Sequence, residues 1–297
     1  MSAAPTPSRF PEVTGQAVGL ARPSDEFFPS TLRDLPQVPA AIWSIGDPGT
    51  LHDPVVAVVG TRRATAYGRR ATTQIVTALV RAGATVVSGM AFGIDAMAHR
   101  AALDANGRTV AVLGSGADVA SPRAHTALHR EIAARGLVLS EMPPGTTSQK
   151  WSFLQRNRII AALARLTIVV EAPVESGALK TADIANELGR DVAAVPGPID
   201  SPQSRGCNEA IRNGVHPITS PVDALLLAGL NPQAAAGPRI GDAAEMQVWE
   251  ALAQGAATLD ELCARTALPV SQCLVAITGL ELRGAVECAL TGEIRLR

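Results

Sequence analysis

Between Val55 and Val195 the chain alternates short, continuously apolar runs with amphipathic stretches. Val55–Val59, Thr85–Ser88, Thr109–Leu113, Leu137–Ser140, Leu166–Val170 and Asp191–Val195 are short and rich in β-branched residues. Such runs predict strands of a parallel sheet buried on both faces. The intervening stretches Tyr67–Ala82, Ile94–Ala105, Arg123–Ala134, Arg158–Leu163 and Ala178–Leu188 predict helices. Strand–helix alternation at this spacing reads as a doubly wound α/β sheet. A further short strand is expected at Ala40–Ile45, and residues 1–23, rich in Ala, Pro, Ser and Thr without periodicity, are expected to form a flexible tail.

The pattern changes after residue 230. Residues 231–243 hold Pro232, Gly237, Pro238 and Gly241 and read as a linker between a main domain over 24–230 and a small one over 244–297. In the latter, Glu245–Gln254 is helical, Thr258-Leu259-Asp260-Glu261 is a capping-box pattern opening a second helix, and Val270–Arg283 gives a third. Ala285–Leu296 has the look of a hairpin turning at Thr291-Gly292. Three short helices followed by a hairpin predict a winged helix.

Composition narrows the classes. The chain has 297 residues, 47% of them hydrophobic, which excludes a disordered protein and allows a large core. No apolar run reaches the roughly 18 residues of a membrane helix, and Met1–Arg22 lacks the apolar stretch of a signal peptide. Cys207, Cys263, Cys273 and Cys288 form no CxxC pair and no Cys/His ligand spacing, so a reduced cytoplasmic protein without metal or cofactor is expected. The net charge of −1 hides a division. Residues 54–227 hold 18 basic and 13 acidic side chains, while the segments on either side are each acidic. A basic centre permits an anionic ligand there.

In an open parallel sheet, ligands sit beyond the carboxyl ends of the strands. Five such ends carry glycine turns: Gly60-Thr61-Arg62, Ser88-Gly89 through Gly93, Gly114-Ser115-Gly116, Ser176-Gly177 and Pro196-Gly197. Together they predict a phosphate-binding face. Gly114-Ser115-Gly116-Ala117-Asp118-Val119 lacks the third glycine of a dinucleotide motif, and neither Lys150 nor Lys180 follows a glycine as a phosphate-binding loop requires, which disfavours NAD and ATP. The densest chemistry lies at Lys150-Trp151-Ser152-Phe153-Leu154-Gln155-Arg156-Asn157-Arg158. Cations interleaved with aromatics suit single-stranded nucleic acid, phosphates taking the charges and unpaired bases the rings. Arg158 is expected at the start of the helix Ile159–Leu163, where the dipole disfavours a cation unless an anion binds. No catalytic group stands out. Asp95 and His99, four apart, read as a helix-stabilising or buried hydrogen-bonded pair, and His125 with His129 as a solvated face rather than a metal site. Glu171, Glu175 and Asp183 surround Ser176-Gly177 without a base–nucleophile chain, and the cysteines read as small buried apolar residues.

Taken together, the motifs over Val55–Val222 closely resemble the Rossmann-like core of the DNA-processing protein A family (DprA, also called Smf). Its landmarks appear in order: Gly60-Thr61-Arg62; Ser88 through Asp95 with Ala98-His99; Ala111 through Gly116; Ser140-Glu141; Phe153 with Arg156-Asn157-Arg158; Val170-Glu171-Ala172; Ser176-Gly177 with Thr181-Ala182; Gly189-Arg190; and Val195-Pro196-Gly197. The resemblance implies an extended Rossmann-like domain that binds single-stranded DNA without strong sequence preference. It also implies a homodimer that protects incoming strands and loads the RecA recombinase during natural transformation. It assigns DNA contacts to Gly60, Thr61 and Arg62, to Lys150 and Phe153 of a Lys-x-x-Phe element, to Arg156, Asn157 and Arg158, and to the Ser176-Gly177 loop, to which Lys180 is added as a phosphate contact.

Two departures concern loop shape: Ser121-Pro122 stands for the usual Tyr-Pro, and Phe153-Leu154-Gln155-Arg156 for the usual Phe-Pro-x-Arg. The short N-terminus is expected to leave no room for the helical domain many relatives carry in front. The C-terminal module resembles the relatives' winged helix, but Val270–Arg283 holds one basic residue, unlike a duplex-reading helix, so it is expected to contact protein. The alternative is an enzyme of the Rossmann-like phosphoribohydrolase type, whose Pro-Gly-Gly-x-Gly-Thr loop is replaced here by Pro196-Gly197-Pro198.

Overall fold

A computed structural model describes residues 18–232, 243–253, 255–282, 285–289 and 292–296. The chain divides into two compact units, residues 1–235 and 236–297. In the first, strands β1 (Gly19–Ala21), β2 (Ile42–Gly46), β3 (Val55–Val59), β4 (Thr85–Ser88), β5 (Arg108–Leu113), β6 (Leu137–Ser140), β7 (Leu166–Val169), β8 (Asp191–Ala194) and β9 (His216–Pro217) form one sheet. Its order is β1-β2-β6-β5-β4-β3-β7-β8-β9. The seven strands from β6 to β9 run parallel, and β1 and β2 extend one edge antiparallel. The expected tail therefore gives way at Gly19–Ala21, which pairs with β2; its remainder to residue 17, and linker residues 233–242, lie outside the described residues.

The apolar runs are strands because both sheet faces are covered. All five residues of β3 are buried. Val56 and Val58 pack under helices α1 (Ala66–Arg81), α2 (Ile94–Asp104) and α7 (Pro221–Leu227). Val55, Ala57 and Val59 pack under α4 (Lys150–Leu163), α5 (Gly177–Glu187) and α6 (Arg205–Arg212). Helix α3 (Thr126–Arg135) buries Leu128, Ile132 and Ala133 beside Val138 and Ala111. From β3 the chain builds outward through β4, β5 and β6, then returns to lay β7, β8 and β9 on the other side. The carboxyl ends of β3 and β7 are thus the point where the winding reverses, and a crevice opens at such a point.

One helix differs from expectation. α4 begins at Lys150, not Arg158. Ser152 closes its first turn, its Oγ accepting from the Gln149 N–H at 3.0 Å and donating to the Gln149 carbonyl at 2.8 Å. Arg158 therefore lies in the third turn, far from the positive end of the helix dipole, and Lys150 is the cation at that end.

The second unit has helices α8 (Ala243–Leu252), α9 (Leu259–Thr266) and α10 (Val270–Leu282) and a three-stranded antiparallel sheet. Strand β10 (Ala257–Thr258) pairs with β12 (Glu293–Leu296), which pairs with β11 (Val286–Cys288). Thr258 caps α9 in a box with Glu261. Val248, Leu252, Leu262, Ala276, Ile277, Leu280 and Ile294 form its own core. The order of elements is that of a winged helix. Among the described residues no single helix is long and apolar enough to cross a membrane.

Candidate nucleic-acid interface

The ends of β3 and β7 and one face of α4 enclose a cleft of about 480 Å³. Gly60, Thr61, Arg62, Lys150, Phe153, Arg156, Asn157, Ser176 and Gly177 all line it. Thr61 anchors one wall. Its N–H donates to the Glu171 carbonyl at 2.6 Å, its carbonyl accepts from Ile94 N–H at 3.2 Å, and its hydroxyl accepts from Arg63 N–H at 3.1 Å. Gly60 has to be glycine, since a Cβ would stand 2.6 Å from Ile94 Cγ1 and 2.9 Å from the Glu171 carbonyl oxygen. With the turn so pinned, Arg62 projects outward and its guanidinium lies over the Phe153 ring, 5.3 Å from the centroid. Across the cleft, Ser176 caps α5, its hydroxyl accepting from Leu179 N–H at 3.2 Å, so the first N–H groups of α5 face the opening.

The five glycine turns expected to form one phosphate-binding face are not equivalent. Four are closed by the chain's own groups. Glu171, 1% exposed, puts its carboxylate at the start of α1, accepting from the Thr65 N–H at 2.9 Å and the Thr65 hydroxyl at 2.5 Å. Asp95, buried in the first turn of α2, accepts from Ala91 N–H at 3.4 Å. A Cβ at Gly114 would stand 3.1 Å from the Ser152 carbonyl and hydroxyl oxygens, and the Gly116 N–H donates to the Thr146 carbonyl at 2.8 Å. Asn208 brackets Gly197, accepting from its N–H at 3.1 Å and donating to its carbonyl at 3.0 Å. Only the turn from β7 into α5 remains open beside the outward Arg62. A dinucleotide, which needs a free helix N-terminus after the first strand, finds a carboxylate there instead.

The cations also separate. Arg156 is 5% exposed: it donates from Nη1 to the Val112 carbonyl and from Nε to Asn157 Oδ1 at 3.2 Å. Its guanidinium occupies the space over Gly89, where a Cβ would stand 2.0 Å from Nη1. Burial lowers its pKa to about 10, with Asp95 opposing and Arg62 adding to the shift, so it stays charged at neutral pH. Burial likewise pushes the Asp95 carboxyl up, Arg156 partly opposing. Arg156 thus underlies the cleft and acts through its field. Arg158 lies outside the cleft. Its guanidinium holds Glu141 at 2.6 Å and the Gln37 carbonyl at 2.6 Å. Asn157 ties α4 to α5, donating to the Gly177 carbonyl at 3.2 Å. Lys180 lies just beyond, in a shallow depression with Leu154, Asn157 and Asp183. Among the described residues no ion pair engages Arg62, Lys150 or Lys180.

The expectations for the histidines and cysteines divide. His129 is buried, not solvated, its Nε2 meeting the Ala117 carbonyl at 2.8 Å, and His125 Nδ1 meets the Met90 carbonyl at 2.9 Å. His99 is fully buried with Nδ1 2.7 Å from Thr109 Oγ1, and burial lowers its pKa to about 3. Cys207 and Cys273 are buried, Cys263 is half-buried and Cys288 is exposed. Trp151 is 58% exposed, as a ring available to a ligand would be. Among the described residues no three His, Cys, Asp or Glu side chains converge as metal ligands. Sequence reasoning missed the closing carboxylates; the local signal was Thr65 followed three residues later by Gly68, whose missing Cβ makes room for Glu171 Oε2.

The family model described as DNA recombination-mediator protein A matches residues 19–228, and that of the DprA winged helix domain matches residues 232–289. A Mycobacterium tuberculosis protein bearing the DNA processing protein DprA name is 44% identical over 261 residues, 84% of this chain and 67% of its own length. The X-ray structure of DNA processing protein A from Streptococcus pneumoniae matches with a TM-score of 0.68 at 40% identity, covering 70% of this chain and 73% of that one. A Helicobacter pylori DNA processing protein A structure, described for its single-stranded DNA binding mode, matches with a TM-score of 0.66 at 29% identity, covering 72% of this chain and 97% of that one.

Proposed function

The chain belongs to the DNA recombination-mediator protein A family, and on that premise we propose that it is a single-stranded-DNA-binding protein acting in recombination, without catalytic turnover. The observation that carries the reading is Arg62 stacked on Phe153 at the mouth of a cleft where, among the described residues, neither Arg62 nor Lys150 forms an ion pair. Arg62 and Lys150 take phosphates, and the Phe153 ring with its stacked guanidinium offers a platform for an unpaired base. The first N–H groups of α5 take a further phosphate oxygen, with Lys180 alongside. Arg156 raises the potential of the floor, Asn157 ties α4 to α5, and Arg158 fixes α4 through Glu141. A duplex, whose bases are already stacked, has no use for the ring. The Helicobacter pylori relative's single-stranded DNA binding supports the same ligand here. The closed turns at α1 and α2 weigh against the phosphoribohydrolase alternative.

Within this reading the protein acts in the cytoplasm as a homodimer, protects incoming single strands and delivers them to the RecA recombinase during transformation or general recombination. Titrating fluorescent oligothymidylate against duplex of equal length across salt concentrations tests the ligand. Arg62→Ala and Lys150→Ala should each weaken single-strand binding by about tenfold, uniformly across base sequences. Undiminished affinity in both variants would place the site elsewhere.

A further inference from the structure

The cleft holds one aromatic ring, yet a second stands next to it on the same sheet edge. Phe92 is 46% exposed in the turn between β4 and α2. Gly93, its neighbour, is pressed against the Thr61-Arg62 peptide: a Cβ there would lie 2.2 Å from the Thr61 carbonyl oxygen and 2.8 Å from the Arg62 carbonyl carbon. Ala91, on the other side, lines the cleft itself. Phe92 therefore flanks the Arg62 turn on the β4 side while Phe153 meets the Arg62 guanidinium.

The ring is braced rather than loose. It meets the His125 imidazole edge to face, centroids 4.8 Å apart at 66°, and His125 is itself held by the Met90 carbonyl at 2.9 Å. Arg63 and Arg123, one residue from Arg62 and two from His125, are exposed and make no ion pair among the described residues. An exposed, oriented ring beside the Arg62 turn, on a basic stretch of chain, is an arrangement that can stack an unpaired base. A core role would bury the ring, which is 46% exposed.

We infer that Phe92, braced by His125, is a second stacking platform, onto which a single strand passes from the Arg62–Phe153 cleft across the β3 turn. This inference rests on the single-stranded-DNA reading above and extends it by one subsite. Each stacked base removed by alanine substitution weakens binding severalfold to about a hundredfold.

The test compares an oligothymidylate of about 4 nucleotides, which fills the cleft, with one of about 15. Phe92→Ala should bind the longer strand about tenfold more weakly and leave the shorter within about twofold. Phe92→Trp should restore the longer strand, and Phe92→Leu, apolar without a ring, should not. Thermal unfolding of each variant confirms that the turn still folds. Native affinity of Phe92→Ala for the longer strand, equal losses on both lengths, or full rescue by Phe92→Leu would each overturn the subsite. Arg62→Ala separates the two claims. If it weakens both lengths while Phe92→Ala weakens neither, only the extension fails; if it too is without effect, the cleft itself is misassigned.

Discussion

Arg156 and Arg158 sit two residues apart on one helix and differ in almost every physical respect. Arg156 points inward, under the Gly89 turn, where its charge is balanced by Asp95 through space. Arg158 points sideways into an ion pair with Glu141 whose two side chains are only 16% and 17% exposed. A pair so shielded is costly to break, because each partner would be left poorly solvated. Arg158→Ala should therefore cost about 1–3 kcal/mol of stability, through the lost bonds to Glu141 and the Gln37 carbonyl. It should change affinity for oligothymidylate by less than about threefold, against the larger loss from Arg62→Ala. Urea unfolding beside a DNA titration reads both numbers. A variant of native stability that binds DNA tenfold more weakly would return Arg158 to the interface. The sequence showed which residue types gather in this segment. It did not show which of them face the solvent, because that depends on the helix starting at Lys150 through a bond between Gln149 and Ser152.

At the level of elements, the strands were legible because a sheet buried on both faces leaves unbroken apolar runs, as in Val55–Val59. The edges were not: β1 and β9 have three and two residues, too few for a pattern. α6 packs only Cys207 and Ile211 among its large apolar side chains against the core, and went unforeseen for that reason. The turns were misjudged in a more instructive way. A glycine turn before a helix offers the same N–H groups whether the anion comes from solvent or from the chain, and only tertiary packing decides which. In α1 and α2 the chain supplies Glu171 and Asp95. α2 also carries a pH device. His99 has a folded pKa of about 3 against 6.5 for the free side chain. The unfolded chain thus takes up a proton below pH 6.5 that the folded one refuses until about pH 3. Stability from this group is complete above pH 6.5 and falls by up to about 1.4 kcal/mol for each unit below it. Asp95, with its carboxyl pushed up, acts in the opposite sense at lower pH and offsets part of the loss. Urea midpoints of the native chain should drop steeply between pH 6.5 and 4, while His99→Gln, which keeps a donor for Thr109, should show a shallower slope. Equal slopes would mean that His99 is not held neutral.

For the whole molecule, the net charge of −1 is a sum over parts with different tasks. Residues 54–227 are basic and hold the cleft; the C-terminal unit is acidic and holds a separate core. On α10, the helix that would read a duplex groove, the exposed apolar side chains are Val270, Leu274, Val275 and Leu282. Phosphate neutralisation needs cations, and among its described residues this helix offers none. DNA affinity should therefore belong to the first unit. Each phosphate neutralised on a single strand contributes about −0.7 to the slope of log affinity against log salt. Three contacts, from Arg62, Lys150 and Lys180, predict a slope near −2, which Arg62→Ala should reduce by about 0.7. Because each unit buries its own core, a chain ending after residue 235 should fold and can be measured alone. It should keep the same slope and, within about twofold, the same affinity for oligothymidylate. A tenfold loss on truncation, or a slope shallower by one contact, would put the C-terminal unit on the DNA. Retention of both would leave the apolar face of α10 free to meet protein.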